Sequence, residues 1–209
     1  MNPLFDPSTL LAFGLTAALL ALAPGQRLHG QAGTPLGTEA PTAPVAVLTA
    51  ALYNDQANLR EASDSAQAAL ATSVLRDRLA DLLGPQVVPY AVVDSIEGSS
   101  AARTLAGGPP CHVKVACARW VAAQAGARWA VMTKVSKTSN LIWLLSAQLV
   151  RVETGAIVLD DSTELKGEPT GMVRVGVRQF ADRVARTVRA GGHVTDYPNG
   201  EPVYPPPEP

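Results

Sequence analysis

The chain has 209 residues, with 17 Lys and Arg against 18 Asp and Glu, giving a formal net charge of -1. That balance offers no electrostatic reason to expect a nucleic-acid partner. The length and a hydrophobic content of 47% suit one globular domain with tails.

Residues 1–32 read as an export signal. The apolar run from Leu10 to Ala23 has the length of a signal core and is short for a membrane span. Small residues follow, and Ala32 is placed as the last residue before cleavage. One feature departs from the pattern: Asp6 is the only charged side chain before the run, where Lys or Arg is expected. An uncleaved anchor is therefore the alternative. No Cys follows the run to carry a lipid. Residues 33–44 are rich in Pro, Gly and Thr and read as a linker.

The folded domain is expected over residues 45–190. Val45-Ala46-Val47-Leu48 has the look of a buried strand, and Tyr53 to Glu61 of a loop. From Ser63 to Leu83 the apolar residues Ala68, Ala71, Leu75, Leu79 and Leu82 recur at helical spacing. Ser63 or Ser65 can cap that helix, and Gly84-Pro85 stops it. Gln86 to Asp94 is rich in Val and reads as a second strand, with Pro89 arguing for an edge or a bulge. Ile96 to Pro110 reads as a loop.

A second helix is predicted from Val113 to Ala125, with Cys117, Trp120, Val121 and Gln124 along one side. The chain has two cysteines, Cys111 and Cys117, and an even count in an exported protein favours a disulfide. On one continuous helix the two would point apart and lie too far for a bridge. The bridge therefore needs Cys111 outside the helix, which Gly107-Gly108-Pro109-Pro110 provides.

Three strands follow: Trp129 to Lys137, Leu141 to Val152, and Ala156 to Leu165. Thr138-Ser139-Asn140 and Glu153-Thr154-Gly155 supply turns so short that the strands must pair antiparallel. The last helix, Thr170 to Ala190, carries Val173, Val177, Phe180, Val184 and Val188 as an apolar stripe. Residues 191–209 form a Pro-rich tail. The fold class is thus α/β (α+β): a mixed sheet of about five strands in the order β-α-β-α-β-β-β-α, with the last three strands an antiparallel meander.

Several segments together resemble an uncharacterised family of small exported bacterial proteins, known as a domain of unknown function. They are the opening strand with Leu52-Tyr53-Asn54, the Cys117 helix ending in Ala125-Gly126-Ala127, Lys134-Val135-Ser136, Ser139-Asn140-Leu141-Ile142, the Val152-Glu153-Thr154-Gly155 turn, and Glu164-Leu165-Lys166-Gly167. Two departures stand out. Lys137-Thr138-Ser139 lengthens the first turn, and the family's cysteines lie closer together than Cys111 and Cys117. The resemblance implies a link to periplasmic quinoprotein dehydrogenases. The element order also looks like the TolB amino-terminal domain and cell-envelope activator lipoproteins, which are binding and assembly modules.

Signals for catalysis or cofactor binding are weak. A Cys111-His112 nucleophile and base would sit adjacent in sequence, with side chains pointing apart. A metal held by Cys111, His112 and Cys117 has no recognised spacing and lacks a fourth ligand. No glycine loop of the phosphate-cradling kind is present, so no cofactor is expected. Asp160 and Asp161 should point to opposite faces of a strand and cannot act as a pair. Candidate partner-binding residues are Lys134, Lys137, Ser139, Asn140 and Trp143 around the first meander turn, and the stripe Arg174, Arg178, Arg186 and Arg189 on the last helix. The alternatives are a solvated hairpin with Trp143 in the core, and a solvated helix face. The resulting expectation is a periplasmic, non-enzymatic accessory or assembly domain that contacts an envelope protein. A small-ligand or cofactor-binding periplasmic protein is the alternative.

Overall fold

The computed structural model describes residues 44–54, 61, 63–107, 111, 114–139 and 141–194. The expected signal, most of the linker, His112, Asn140 and the tail beyond residue 194 lie outside them. Strand β1 (Val45–Val47) and strand β2 (Ala51–Asn54) are followed by α1 (Asp64–Leu83), a 3-10 turn at Gly84–Gln86, α2 (Tyr90–Glu97), α3 (Ser100–Ala106) and α4 (Val115–Gln124). Then come β3 (Trp129–Lys137), β4 (Ile142–Arg151), β5 (Ile157–Lys166) and α5 (Pro169–Arg189).

The sheet is mixed and five-stranded, and β3 is its centre. On one side β3 pairs parallel with β1, through Val45–Trp129, and with β2, through Leu52–Val135. On its other side it pairs antiparallel with β4, and β4 with β5. The meander is as expected from its turns.

Alternation along the strands assigns the two faces. Trp129, Val131, Val135, Trp143, Leu145, Leu149, Leu159 and Leu165 face one way and form a core with α1 and α5. Ala46, Leu48, Ala130, Met132 and Val150 face the other way and pack with α2, α3 and α4. The buried faces of the long helices match the sequence periodicity: Ala68, Ala71, Leu75 and Leu79 on α1, and Val173, Val177, Phe180, Val184 and Val188 on α5. Gly176 lets α5 approach β4 closely, since a Cβ there would stand 3.1 Å from Leu145 Cδ2. Glu168 caps α5 by accepting from the Thr170 and Gly171 amides, and those bonds hold its carboxyl below the usual range.

Four local expectations are corrected. Gln86 to Asp94 is not a strand: only Val87 makes a parallel bridge, to Val45, and a helix begins at Tyr90. Val-rich composition loses there to a three-residue burial rhythm, with Tyr90 and Ile96 half-buried and Val93 fully buried. Pro89 supplies the extended residue before the first turn. The segment read as a loop contains α3, capped by the Ser99 hydroxyl on the Ala102 amide. Ser63 stands at the head of α1 but makes no side-chain cap; Asp64 instead accepts from the Glu61 amide at 2.9 Å. On α4 the buried side is Cys117, Ala118, Val121 and Ala122, leaving Gln124 exposed.

Cys111 and Cys117 form a disulfide with their Cα atoms 5.2 Å apart. Cys111 precedes α4, as the bridge requires, and both sulfurs sit in the smaller core. Two measurements check this architecture. Phe180→Ala should leave a cavity under α5 and lower stability by about 3–5 kcal/mol in urea unfolding; a variant that unfolds like wild type would detach α5 from the sheet. Opening the bridge by Cys111→Ser with Cys117→Ser should cost roughly 2 kcal/mol, the chain-entropy value for so short a loop. Intact mass after alkylation, with and without reductant, shows whether the bridge is present.

Candidate functional site

The sequence candidates around the first meander turn separate when the strands are laid down. Lys137 and Trp143 are direct cross-strand partners and both point toward α1. Lys137 is only 3% exposed, so it is not part of a solvated tip. Its Nζ donates to Asp64 Oδ1 at 3.0 Å, lies 3.4 Å from Glu61 Oε1 and sits 5.6 Å from the centre of the Trp143 ring. Asp64 itself is 2% exposed and opens α1, where a negative charge meets the positive helix end. Burial pushes the Lys137 pKa down, but hydrogen bonds and charge from Asp64 and Glu61 outweigh it and hold it above the ordinary 10.5. Trp143 is a core residue. Ser139 holds the turn: its Oγ accepts from the Leu141 and Ile142 amides at 3.2 and 3.1 Å. Asn140 lies outside the described residues.

Lys134 points to the other face of the sheet, its Nζ 5.2 Å above the Tyr53 ring. Register places these residues in rows. One row runs Tyr53, Ser136, Leu144, Glu164, and the next runs Ala51, Lys134, Ser146, Ser162. The core under α2, α3 and α4 reaches Met132 and Val150 but none of these rows. Among the described residues no helix packs on this half of the face: Tyr53, Ser162 and Glu164 are exposed, Lys134, Leu144 and Ser146 half-buried, and Ala51 and Ser136 buried between their neighbours. Tyr53, in one of these rows, is 50% exposed, and Leu141, in the turn before β4, is 75% exposed. Asp160 lies on the same face beside Gln148, while Asp161 turns to the opposite face and pairs with Arg183 of α5. The two aspartates do not act together, as alternation predicts.

The arginine stripe on α5 also divides. Arg189 donates to the Leu82 carbonyl and closes the end of α1. Arg186 is exposed. Arg174 and Arg178 line a groove of about 410 Å³ between α1 and α5, floored by Leu70 and Val74. Asp77, Asp81 and the Arg78–Asp182 pair (2.8 Å) complete its walls. Sequence reading found the arginines but missed Asp64, Tyr53, Leu141, Asp77 and Asp81. Only Asp64 carried a local signal, as an acid in the first turn of a helix.

Residues 43–183 match the family model DUF3280, whose description is protein of unknown function (DUF2380). The match spans most of the chain, which belongs to this family. No curated protein matches the sequence. Among solved structures, the chain is similar to the LpoB C-terminal domain from Salmonella enterica, at 19% identity and TM-score 0.41, over 60% of this chain and 84% of that one. It is similar to the LpoB C-terminal domain from Escherichia coli at 22% identity and TM-score 0.39, over 63% and 90%. Lipoprotein GNA1162 from Neisseria meningitidis follows at 16% identity and TM-score 0.38, over 69% and 98%.

The buried pair makes a sharp prediction. Lys137→Met alone strands Asp64 without its cation and should destabilise as severely as a large core truncation. Adding Asp64→Leu should recover most of the loss, because two apolar side chains need no compensation. Urea midpoints of the single and double variants decide this, and a single variant as stable as wild type would remove the pair from the stability argument. The pH dependence has a definite sign. The folded pKa of Lys137 lies above the unfolded one, so the contribution is complete below the ordinary lysine value and lost as pH rises through the raised one. The thermal midpoint of wild type should therefore fall more steeply at alkaline pH than that of the double variant.

Proposed function

We propose that this member of the DUF3280 family is an exported accessory or assembly domain, without catalysis of its own, that works through protein contacts in the periplasm. The observation that carries the reading is the half of one sheet face on which, among the described residues, no helix packs. There Tyr53 is exposed with Lys134 beside it, and Leu141 is exposed in the turn that precedes β4. That mixture is the one that anchors protein interfaces. Ser146, Ser162 and Glu164 add a polar rim around Leu144. The adjoining edge strand β5, ten residues long, presents a row of backbone donors and acceptors alongside this face. The Cys111–Cys117 bridge supports an oxidising compartment. Of the expected contact residues, Lys134 and Ser139 stay with this surface, whereas Lys137 and Trp143 support it from below. A link to a periplasmic quinoprotein dehydrogenase is the finer form of the proposal and rests on the sequence resemblance alone.

The test is capture by crosslinking from the native envelope, with wild type against a Tyr53→Ser, Leu141→Asp variant. Both positions are surface sites, so the thermal midpoint should move by only about 3 °C. The captured proteins should nevertheless disappear. A folded variant that captures the same set would overturn the assignment of this face.

A further inference from the structure

A second surface lies on the opposite side of the sheet, where α1 and α5 run side by side and in the same direction. Gln67 meets Thr170 near their starts, Arg78 meets Asp182 midway, and Arg189 meets Leu82 at their ends. The groove between them has its charges sorted by sign. Arg174 and Arg178, one turn apart on α5, lie level with Leu70 and Val74. Asp77 and Asp81, one turn apart on α1, lie about two turns further along. The Arg78–Asp182 pair lies level with the aspartates, and its two charges cancel one another there. Arg174, Arg178, Asp77 and Asp81 form no ion pair among the described residues.

We infer that this groove is the interface between two copies of the chain, related by a two-fold axis. An axis midway between the two charged pairs lays the arginines of each copy on the aspartates of the other. Four ion pairs form where none exists in a single copy. A patch with one positive and one negative half is complementary to itself under such an axis, which is the geometry of an isologous dimer. A partner of one charge sign would be repelled by half of the groove. The formal net charge of -1 leaves no long-range repulsion between copies. Leu70 and Val74 give the arginine half an apolar floor. Two helices of 20 and 21 residues, about 30 Å long, offer on the order of 600 Å² side by side, close to the area each partner gives to a stable interface.

A charge swap tests the inference on the full chain. By sedimentation velocity, wild type should be dimeric at about 0.02 M salt and should dissociate at least about tenfold more readily at about 0.5 M. Arg174→Glu with Arg178→Glu should be monomeric, and so should Asp77→Arg with Asp81→Arg, each with a thermal midpoint near that of wild type. Mixing the two variants should restore a dimer, since every contact is again between opposite signs. The mixture also shows that both variants are folded. A wild-type monomer at low salt, dimers that survive in either variant alone, or a mixture that stays monomeric would each overturn the proposal.

Discussion

Strand β3 must be shielded on both faces, and that constraint places every other element. It is paired along both edges, and eight of its nine residues are buried. A parallel neighbour cannot be reached by a tight turn, so the chain between β2 and β3 has to be a long crossover. That crossover is helical and divides itself between the faces: α1 covers one, while α2, α3 and α4 cover the other. After the meander, α5 returns to the side of α1. One face thus receives two helices of 20 and 21 residues and the other receives three short ones. The three short helices pack on the start of β3, and among the described residues none reaches the far half of that face, where Lys134 is half-buried and Ser162 and Glu164 are exposed.

The buried Lys137–Asp64 pair constrains register as well as stability. Side chains on a strand alternate with a period of two, so a slip of one residue would turn Lys137 toward the other face and leave Asp64 buried without a cation. The same slip would exchange Trp129, Val131 and Val135 for Ala130, Met132 and Lys134 under α1 and α5. An apolar pair would pack as well but would tolerate a wrong register better. A charge that is acceptable only in one place specifies one alignment of β3, β4 and α1.

The parts of the fold that were legible in the sequence are those decided by neighbours along the chain. Alternation and short turns located β3, β4 and β5 to within a residue or so at each end, and a clean apolar stripe located α5. The even cysteine count and the glycine-proline run before Cys111 pointed to the bridge. Gln86 to Asp94 was misread because four valines suggest a strand, whereas Pro89 and the docking of Val93 in the smaller core decide for a helix. The candidate site was less legible. Whether Lys137 is solvated or buried depends on Asp64, 73 positions away, and the fate of Arg189 depends on a carbonyl 107 positions away. No local pattern contains such information. Lys134 and Lys137 look equivalent as residues near one turn, yet the odd spacing between them puts them on opposite faces with opposite roles.

Most charged groups near the core act as struts between elements. Lys137 with Asp64 ties β3 to α1, Arg183 with Asp161 ties α5 to β5, Arg76 with Asp94 ties α1 to α2, and Arg78 with Asp182 ties α1 to α5. Arg119 holds the turn between β4 and β5 through the Val152 and Glu153 carbonyls, both at 2.9 Å. Charges engaged in this way hold neighbouring elements to one another. Among the described residues two surfaces lie on opposite sides of the sheet: the face with Tyr53 and Lys134 on one, and the sorted charges of the α1–α5 groove on the other. A contact made at the groove leaves the opposite sheet face unobstructed. On the two proposed readings, the sheet holds two copies together through the groove while each presents its other face to a different protein.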